Sequence, residues 1–211
     1  LDTLEKAEHF IFLEYFILEE GEMWGRILDI LKRKAAQGVE VRVLYDGTCA
    51  ITLLPYDYPK TLAKCGIQCR MFAPLRPFVS THYNNRDHRK IAVIDGKIAY
   101  TGGANLADEY INRKNRFGHW KDAAVRIDGC AVRSFTLMFL QMWNIPRKTD
   151  AENYEKYLSA SVSDVQKTQG YVIPYADSPL DGEKVGETVY MDMINTACGH
   201  VYIFTPYLIL D

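Results

Sequence analysis

Residues 10–18 (FIFLEYFIL) are apolar almost without a break, and so short a β-prone run predicts a strand covered on both faces. The next segment, GEMWGRILDILKRKAAQG, places Trp24, Ile27, Leu28 and Leu31 at helical spacing and predicts a helix that stops at Gly38. VEVRVLYDG then reads as a second strand running into a loop. Strand, helix and strand joined by short links form the right-handed crossover of two parallel strands. Further along, PKTLAKCG predicts a short helix and GIQCRMF a strand. Residues 120–129 (WKDAAVRIDG) predict another strand, and AVRSFTLMFLQMWN a helix ended by Pro146. The expected class is α/β.

Between these elements RKIAVI and KIAYTG flank Asp95-Gly96, a two-residue turn signal, since such turns need positive φ at both central positions. The register that follows puts Ile94 opposite Lys97, Ala92 opposite Ala99, Lys90 opposite Thr101 and His88 opposite Gly103. Strand periodicity then sets His88 and Lys90 on one face.

A polar stretch, residues 147–170, separates a first region, 1–146, from a third, 171–211. The third echoes the start of the chain. EHFIFLEYFILEE resembles GHVYIFTPYLILD, aligning His9 with His200 and Phe16 with Tyr207, and the segments before them, LDTLEKAEH and MDMINTACGH, match in character. On this reading the chain holds one lobe and the start of a second, and Asp211 precedes any second counterpart of His88. The chain begins at Leu1 rather than Met, so we expect a piece of a longer protein with an anchor upstream.

Composition narrows the function. At 211 residues the chain can bury a substantial core. Its net charge of −2, with 25 Lys and Arg, lacks the basic field of a nucleic-acid binder, so anion recognition must be local and no nucleic acid is expected as partner. The five cysteines are odd in number and fit neither a disulfide framework nor a zinc knuckle, which favours reduced thiols facing the cytosol. No metal-ligand spacing joins His9, His82, His88, His119 and His200, and no cofactor is expected. The apolar runs are too short to cross a bilayer.

Local anion chemistry converges on the hairpin. An imidazole at His88 attacks phosphorus or shuttles a proton, and the Lys90 ammonium neutralises phosphate oxygens. Gly102 and Gly103 let a bulky group approach the backbone. Asn105 is placed to cap a following helix, LADEY, whose N-terminal end favours anions. Chance produces this joint pattern in roughly one chain in ten thousand, so the combination carries the reading rather than any one member.

HRKIAVID (His88 to Asp95) with GGAN (Gly102 to Asn105) resembles the HxKxxxxD signature of the phospholipase D superfamily. RDHRKIAVIDG, GGANLADEY, WKD (Trp120 to Asp122) and TPY (Thr205 to Tyr207) are further similar to the NHRKxxxIDG, GGxNxxDEY, W-x-D and TPY patterns of bacterial cardiolipin synthases. The resemblance implies a phospholipase D-like lobe, a mixed and mostly parallel sheet with helices on both faces, and a second lobe or second copy completing a shared active site. It implies His88, Lys90 and Asp95 as catalytic residues, and Lys90, Gly102, Gly103 and Asn105 as phosphate binders. Asp122 or Glu109 would orient the His88 ring. It also implies phosphatidyl transfer between two phosphatidylglycerol molecules through a phosphatidyl-histidine, with His88 as either nucleophile or acid. The lobe alone would be inactive. The chemistry leaves open a hydrolase releasing phosphatidic acid, a nuclease, or a silent lipid- or anion-binding module. The expected place is the cytoplasmic face of a bacterial membrane. MFAPLRPFVSTHY (Met71 to Tyr83) reads either as a lipid-facing loop or as a connector packed on the core.

Overall fold

The computed structural model describes residues 1–74, 85–116, 118–145, 153–158, 170–178 and 182–205. The chain divides into two compact units, Leu1–Val172 and Ile173–Asp211.

The first unit is built on a six-stranded sheet in the order β3-β2-β1-β4-β5-β6, formed by β1 (Phe10–Tyr15), β2 (Glu40–Asp46), β3 (Gln68–Phe72), β4 (Lys90–Ile94), β5 (Ile98–Gly102) and β6 (Ala124–Asp128). A short helix α1 (Asp2–Glu5) precedes the sheet, and the β1, β2 and β3 strands are parallel, joined by α2 (Glu22–Ala36) and then by α3 (Cys49–Thr52) and α4 (Tyr58–Ala63). The junctions β1–β4, β4–β5 and β5–β6 are antiparallel. The sheet is mixed, as expected, with β1, β2, β3 and β5 running one way and β4 and β6 the other. Tight hairpin and meander links after Lys90 leave no room for the crossover that parallel pairing requires.

Strand alternation divides the core into two layers. Ile11, Leu13, Val41, Val43, Tyr45, Ala92 and Ile94 face α2 and α4, where Trp24, Leu31 and Leu62 are buried. Phe10, Phe12, Leu44, Ile91 and Val93 face α5 (Val132–Asn144), packing on Phe135, Phe139 and Trp143. The Phe12 and Phe139 rings stack with centroids 4.6 Å apart. Helix α2 starts where the Glu22 and Met23 N–H groups donate to the Asp108 carboxylate at 3.0 and 2.8 Å, and ends with Arg33 and Lys34 in its last turn before Gly38 at φ 92°.

The hairpin turn forms at Asp95 (φ 54°) and Gly96 (φ 64°), with the Lys97 N–H donating to the Ile94 carbonyl at 3.0 Å. Its register differs from the expected one. Ile94 pairs with Ile98, Val93 with Ala99, Ala92 with Tyr100 and Ile91 with Thr101, so Lys97 is an extra residue after the turn. One inserted residue exchanges the faces of the whole following strand. The exchange puts the small, fully buried Ala99 under α5 and sends Tyr100 to the other side, where its hydroxyl meets Thr3 Oγ1 at 2.6 Å.

Part of the expected connection belongs to the first unit. Helix α6 (Glu155–Leu158) buries Tyr157 against Phe10 and Phe12, and the Arg42 guanidinium donates to its hydroxyl at 2.6 Å. Pro146 lies outside the described residues, and α5 ends at Asn144. In the second unit α7 (Val185–Thr196) is capped by Asp177, which accepts the Val185 and Gly186 N–H groups at 2.8 and 2.9 Å. Residues 201–205, the described part of the second apolar run, form no strand.

Candidate active site

The C-terminal ends of β1, β2 and β5 meet the starts of β4 and β6 at one end of the sheet, and His88 and Lys90 lie there. Asp46 at the end of β2 holds the approach to His88. Its fully buried carboxylate accepts the Thr48 N–H at 2.9 Å, the Thr48 hydroxyl at 2.8 Å, the Arg86 guanidinium at 3.1 Å and the Asp87 N–H at 2.9 Å. Gly47 between these partners is pinned for lack of space, since a Cβ there would meet the Pro74 Cα at 2.7 Å. The chain thus enters β4 from a fixed point.

Beyond that point His88 is exposed and Lys90 is buried. The Lys90 ammonium donates to the His88 carbonyl at 2.7 Å and lies 5.5 Å from the Phe16 ring centroid. The His88 ring rests on the same Phe16 at 4.8 Å. Phe16 is itself held, because the Cys49 thiol donates to its carbonyl at 3.2 Å and the Leu18 N–H donates to the Cys49 sulfur at 3.4 Å. Burial pushes the Lys90 ammonium down to about 8, against the opposing pull of the Asp87 and Asp122 charges. Burial, and then the Lys90 charge, lower His88 from its ordinary value, with Asp46 opposing. At neutral pH the ring is therefore an uncharged base beside a cation, the protonation state that phosphorus attack or proton abstraction requires.

The other expected site residues divide. Gly102 and Gly103 do permit close approach, but what approaches is the chain itself. A Cβ on Gly102 would meet the Ala123 carbonyl oxygen at 2.5 Å, and one on Gly103 would overlap the Asp122 carboxylate. Asn105 caps no helix, for residues after it form only a 3-10 turn, Asp108–Ile111. It is buried, accepting the Ile17 N–H at 3.0 Å and donating to the Tyr110 hydroxyl at 2.8 Å, so it fastens the glycine loop to the segment after β1. The Asp95 carboxylate accepts the N–H groups of Glu8, His9 and Phe10 at 2.8, 2.7 and 2.8 Å. It sits at the opposite end of β4 from Lys90, which makes it an anchor for β1 and removes it from the catalytic set. Asp122 reaches Lys90 electrostatically while accepting the Trp120 indole N–H at 3.0 Å. Glu109 turns to Arg116 at 3.4 Å. Both carboxylates are thus engaged elsewhere, and neither forms a hydrogen bond with the His88 ring.

Asp46, Phe16, Glu14 and Asp87 were missed by the sequence reading. Asp46 carried the one available signal, an acid at the end of a buried strand. Residues 75–84, most of the segment read as lipid-facing or as a connector, and Pro206-Tyr207 of TPY lie outside the described residues. Among the described residues no three His, Cys, Asp or Glu side chains cluster to hold a metal, and no helix is long and apolar enough to cross a membrane.

The chain is similar to several known proteins. An "uncharacterized protein" of Streptococcus mutans is 60% identical over 99% of the chain and 44% of its own length. Cardiolipin synthases of Alkalihalophilus pseudofirmus and Geobacillus thermodenitrificans are each 38% identical over 100% of the chain, and over 42% and 41% of their own lengths. The chain thus spans less than half the length of these relatives. In fold it is similar to a phospholipase D family member, Nuc from Salmonella typhimurium (TM-score 0.51, 18% identity, 68% of this chain and 83% of that one). It is similar also to a phosphatidylserine synthase of Haemophilus influenzae (TM-score 0.53, 15% identity, 75% of this chain and 38% of that one). Residues 1–143 match the family described as "Cardiolipin synthase, PLD-like domain", and with the two-layered lobe around His88 and Lys90 this makes the chain a member of that phospholipase D-like family.

Proposed function

We propose that this chain is the first catalytic lobe of a cardiolipin synthase, transferring a phosphatidyl group from one phosphatidylglycerol to another and releasing glycerol. The observation that carries the reading is the pairing of an exposed, neutral His88 with a buried Lys90 cation on one short segment. In the first step a histidine nitrogen forms a bond to phosphorus as the phosphorus–oxygen bond to glycerol breaks, and a second histidine protonates the departing alkoxide. In the second step that histidine takes the proton of the other lipid's hydroxyl, whose oxygen displaces the first from phosphorus. His88 fills one of the two roles, and the other lobe, or a second copy, supplies the partner. Lys90 holds non-bridging oxygens, where a positioned charge is worth roughly 2.7–4 kcal/mol of barrier. Two displacements with a general acid contributing about 10²–10⁴-fold account for the chemistry through side chains of this type. The long acyl chains remain in the bilayer, so the lobe works at a membrane surface on the cytoplasmic side.

The test is product analysis by mass spectrometry with the complete protein, phosphatidylglycerol vesicles and a His88→Ala control. Cardiolipin and glycerol in equal amounts, absent from the control, are the expected result. Phosphatidic acid without cardiolipin would replace the transferase by a hydrolase.

A further inference from the structure

Glu14 is fully buried on the opposite side of the sheet from the face of Lys90, in the row of Leu44 and Ile91, and takes no part in the chemistry above. Neither of its carboxyl oxygens has a hydrogen-bond donor among the described residues. The nearest cation, Arg89, stands 3.9 Å away, beyond hydrogen-bonding reach. Against Glu14 lies a second buried carboxyl, that of Asp87, one of whose oxygens accepts the Arg89 N–H at 3.2 Å while the other also lacks a donor. Two carboxylates cannot both stay ionised in contact and out of water. A single proton between them supplies the missing donor.

We propose that Glu14 and Asp87 share one proton, and that this bond is a positioning device that holds the Asp87–Arg89 backbone on β1 and so fixes where His88 and Lys90 project. Residues 87 and 89 turn to one side of this segment, while 88 and 90 serve the other. The surroundings are consistent with this. Asp46 is engaged by Arg86, Lys90 acts on Asp87 from the catalytic side, and Arg70 is one strand further along the Leu44 row. The α5 residues packed on this face, Phe135, Phe139, Leu140 and Trp143, carry no charge. Burial first, and the neighbouring Asp87 charge second, raise Glu14 well above the ordinary carboxyl value. The catalytic consequence rests on the function proposed above. The shared proton does not.

Three measurements on the complete protein test it, using Glu14→Gln, Asp87→Asn and Glu14→Ala. The infrared carbonyl band of a neutral carboxyl is expected in the wild type near neutral pH and lost in both single isosteric variants. Stability of the wild type relative to Glu14→Gln is expected to fall with rising pH above the ordinary carboxyl range, by about tenfold in the folding constant per pH unit. The sign follows from a native state that keeps a proton the unfolded chain releases. Transfer by Glu14→Gln is expected within about threefold of wild type, whereas Glu14→Ala, which frees the segment, falls on the order of a hundredfold. A missing band, a pH-independent stability difference, or equal damage from Gln and Ala overturns the proposal and makes Glu14 a carboxylate held by Arg89. If the wild type makes no lipid product, the function fails, while the infrared and stability measurements still decide the proton.

Discussion

His88 and Lys90 titrate in opposite directions from a productive state, and this sets a pH window. With His88 in the attacking role, its protonation below the lowered value removes the base, and loss of the Lys90 proton through about 8 removes the cation. A bell-shaped kcat/KM is therefore expected, narrower on the alkaline side than an ordinary lysine would give. Lys90→Met should lower kcat/KM by about 10²–10³-fold and abolish the alkaline limb, which a pH series of initial rates would read. Stability has a different sign. Between about 8 and the ordinary lysine value of 10.5 the native state binds fewer protons than the unfolded chain, so stability rises with pH there, and Lys90→Met should lose that rise. His88 and Lys90 were legible because side chains two apart in extended chain share a face whatever the register. Glu14 was not, because one acid within FIFLEYFIL reads as a tolerated polar residue until its neighbour Asp87 is known.

At the scale of elements, the hairpin shows how a correct turn can accompany a wrong pairing. Asp95-Gly96 adopts the positive φ angles that its sequence announces, but nothing in KIAYTG marks Lys97 as surplus. What decides is burial: Ala99 must pack under α5, and only the bulged register puts it there. Deleting Lys97 is thus expected to reverse the faces of β5 and abolish folding, visible as loss of a cooperative thermal transition. Asp95→Ala strips three backbone N–H groups of their acceptor and is expected to cost about 1–3 kcal/mol by urea unfolding, with the pH profile of any remaining activity unchanged. Gly102→Ala meets backbone rather than a movable side chain and should cost about 1–3 kcal/mol in the same assay.

For the whole molecule, the α/β class and the helix-linked parallel strands followed from periodicity alone, while the antiparallel half did not. Short apolar strands such as IAYTG and AVRID show no preference of direction. Their direction comes from how little chain separates them. The expected connection hid Tyr157 for a related reason: two tyrosines in a polar stretch are too few to set a period, yet Tyr157 closes the layer over Phe10 and Phe12. Tyr157→Phe removes the hydroxyl that meets Arg42 and Glu40, and a loss of about 1–3 kcal/mol is expected.

The central place of β1 also dictates an order of assembly. Its partner on one side, β2, arrives 30 residues later in the chain, but its partner on the other, β4, arrives only after β3 and the segment that follows it. Closing the longer loop is slower, so β1, α2 and β2 associate while one edge of β1 still stands open. His88 and Lys90 come in with the strand that shuts this edge. Pulse-labelled hydrogen exchange should therefore find amides of β2 and β3 protected before those of β4 and β5. The reactive pair is then created only as the sheet is sealed, and a nascent chain halted before residue 90 would display an unpaired apolar strand open to any other chain with a free edge.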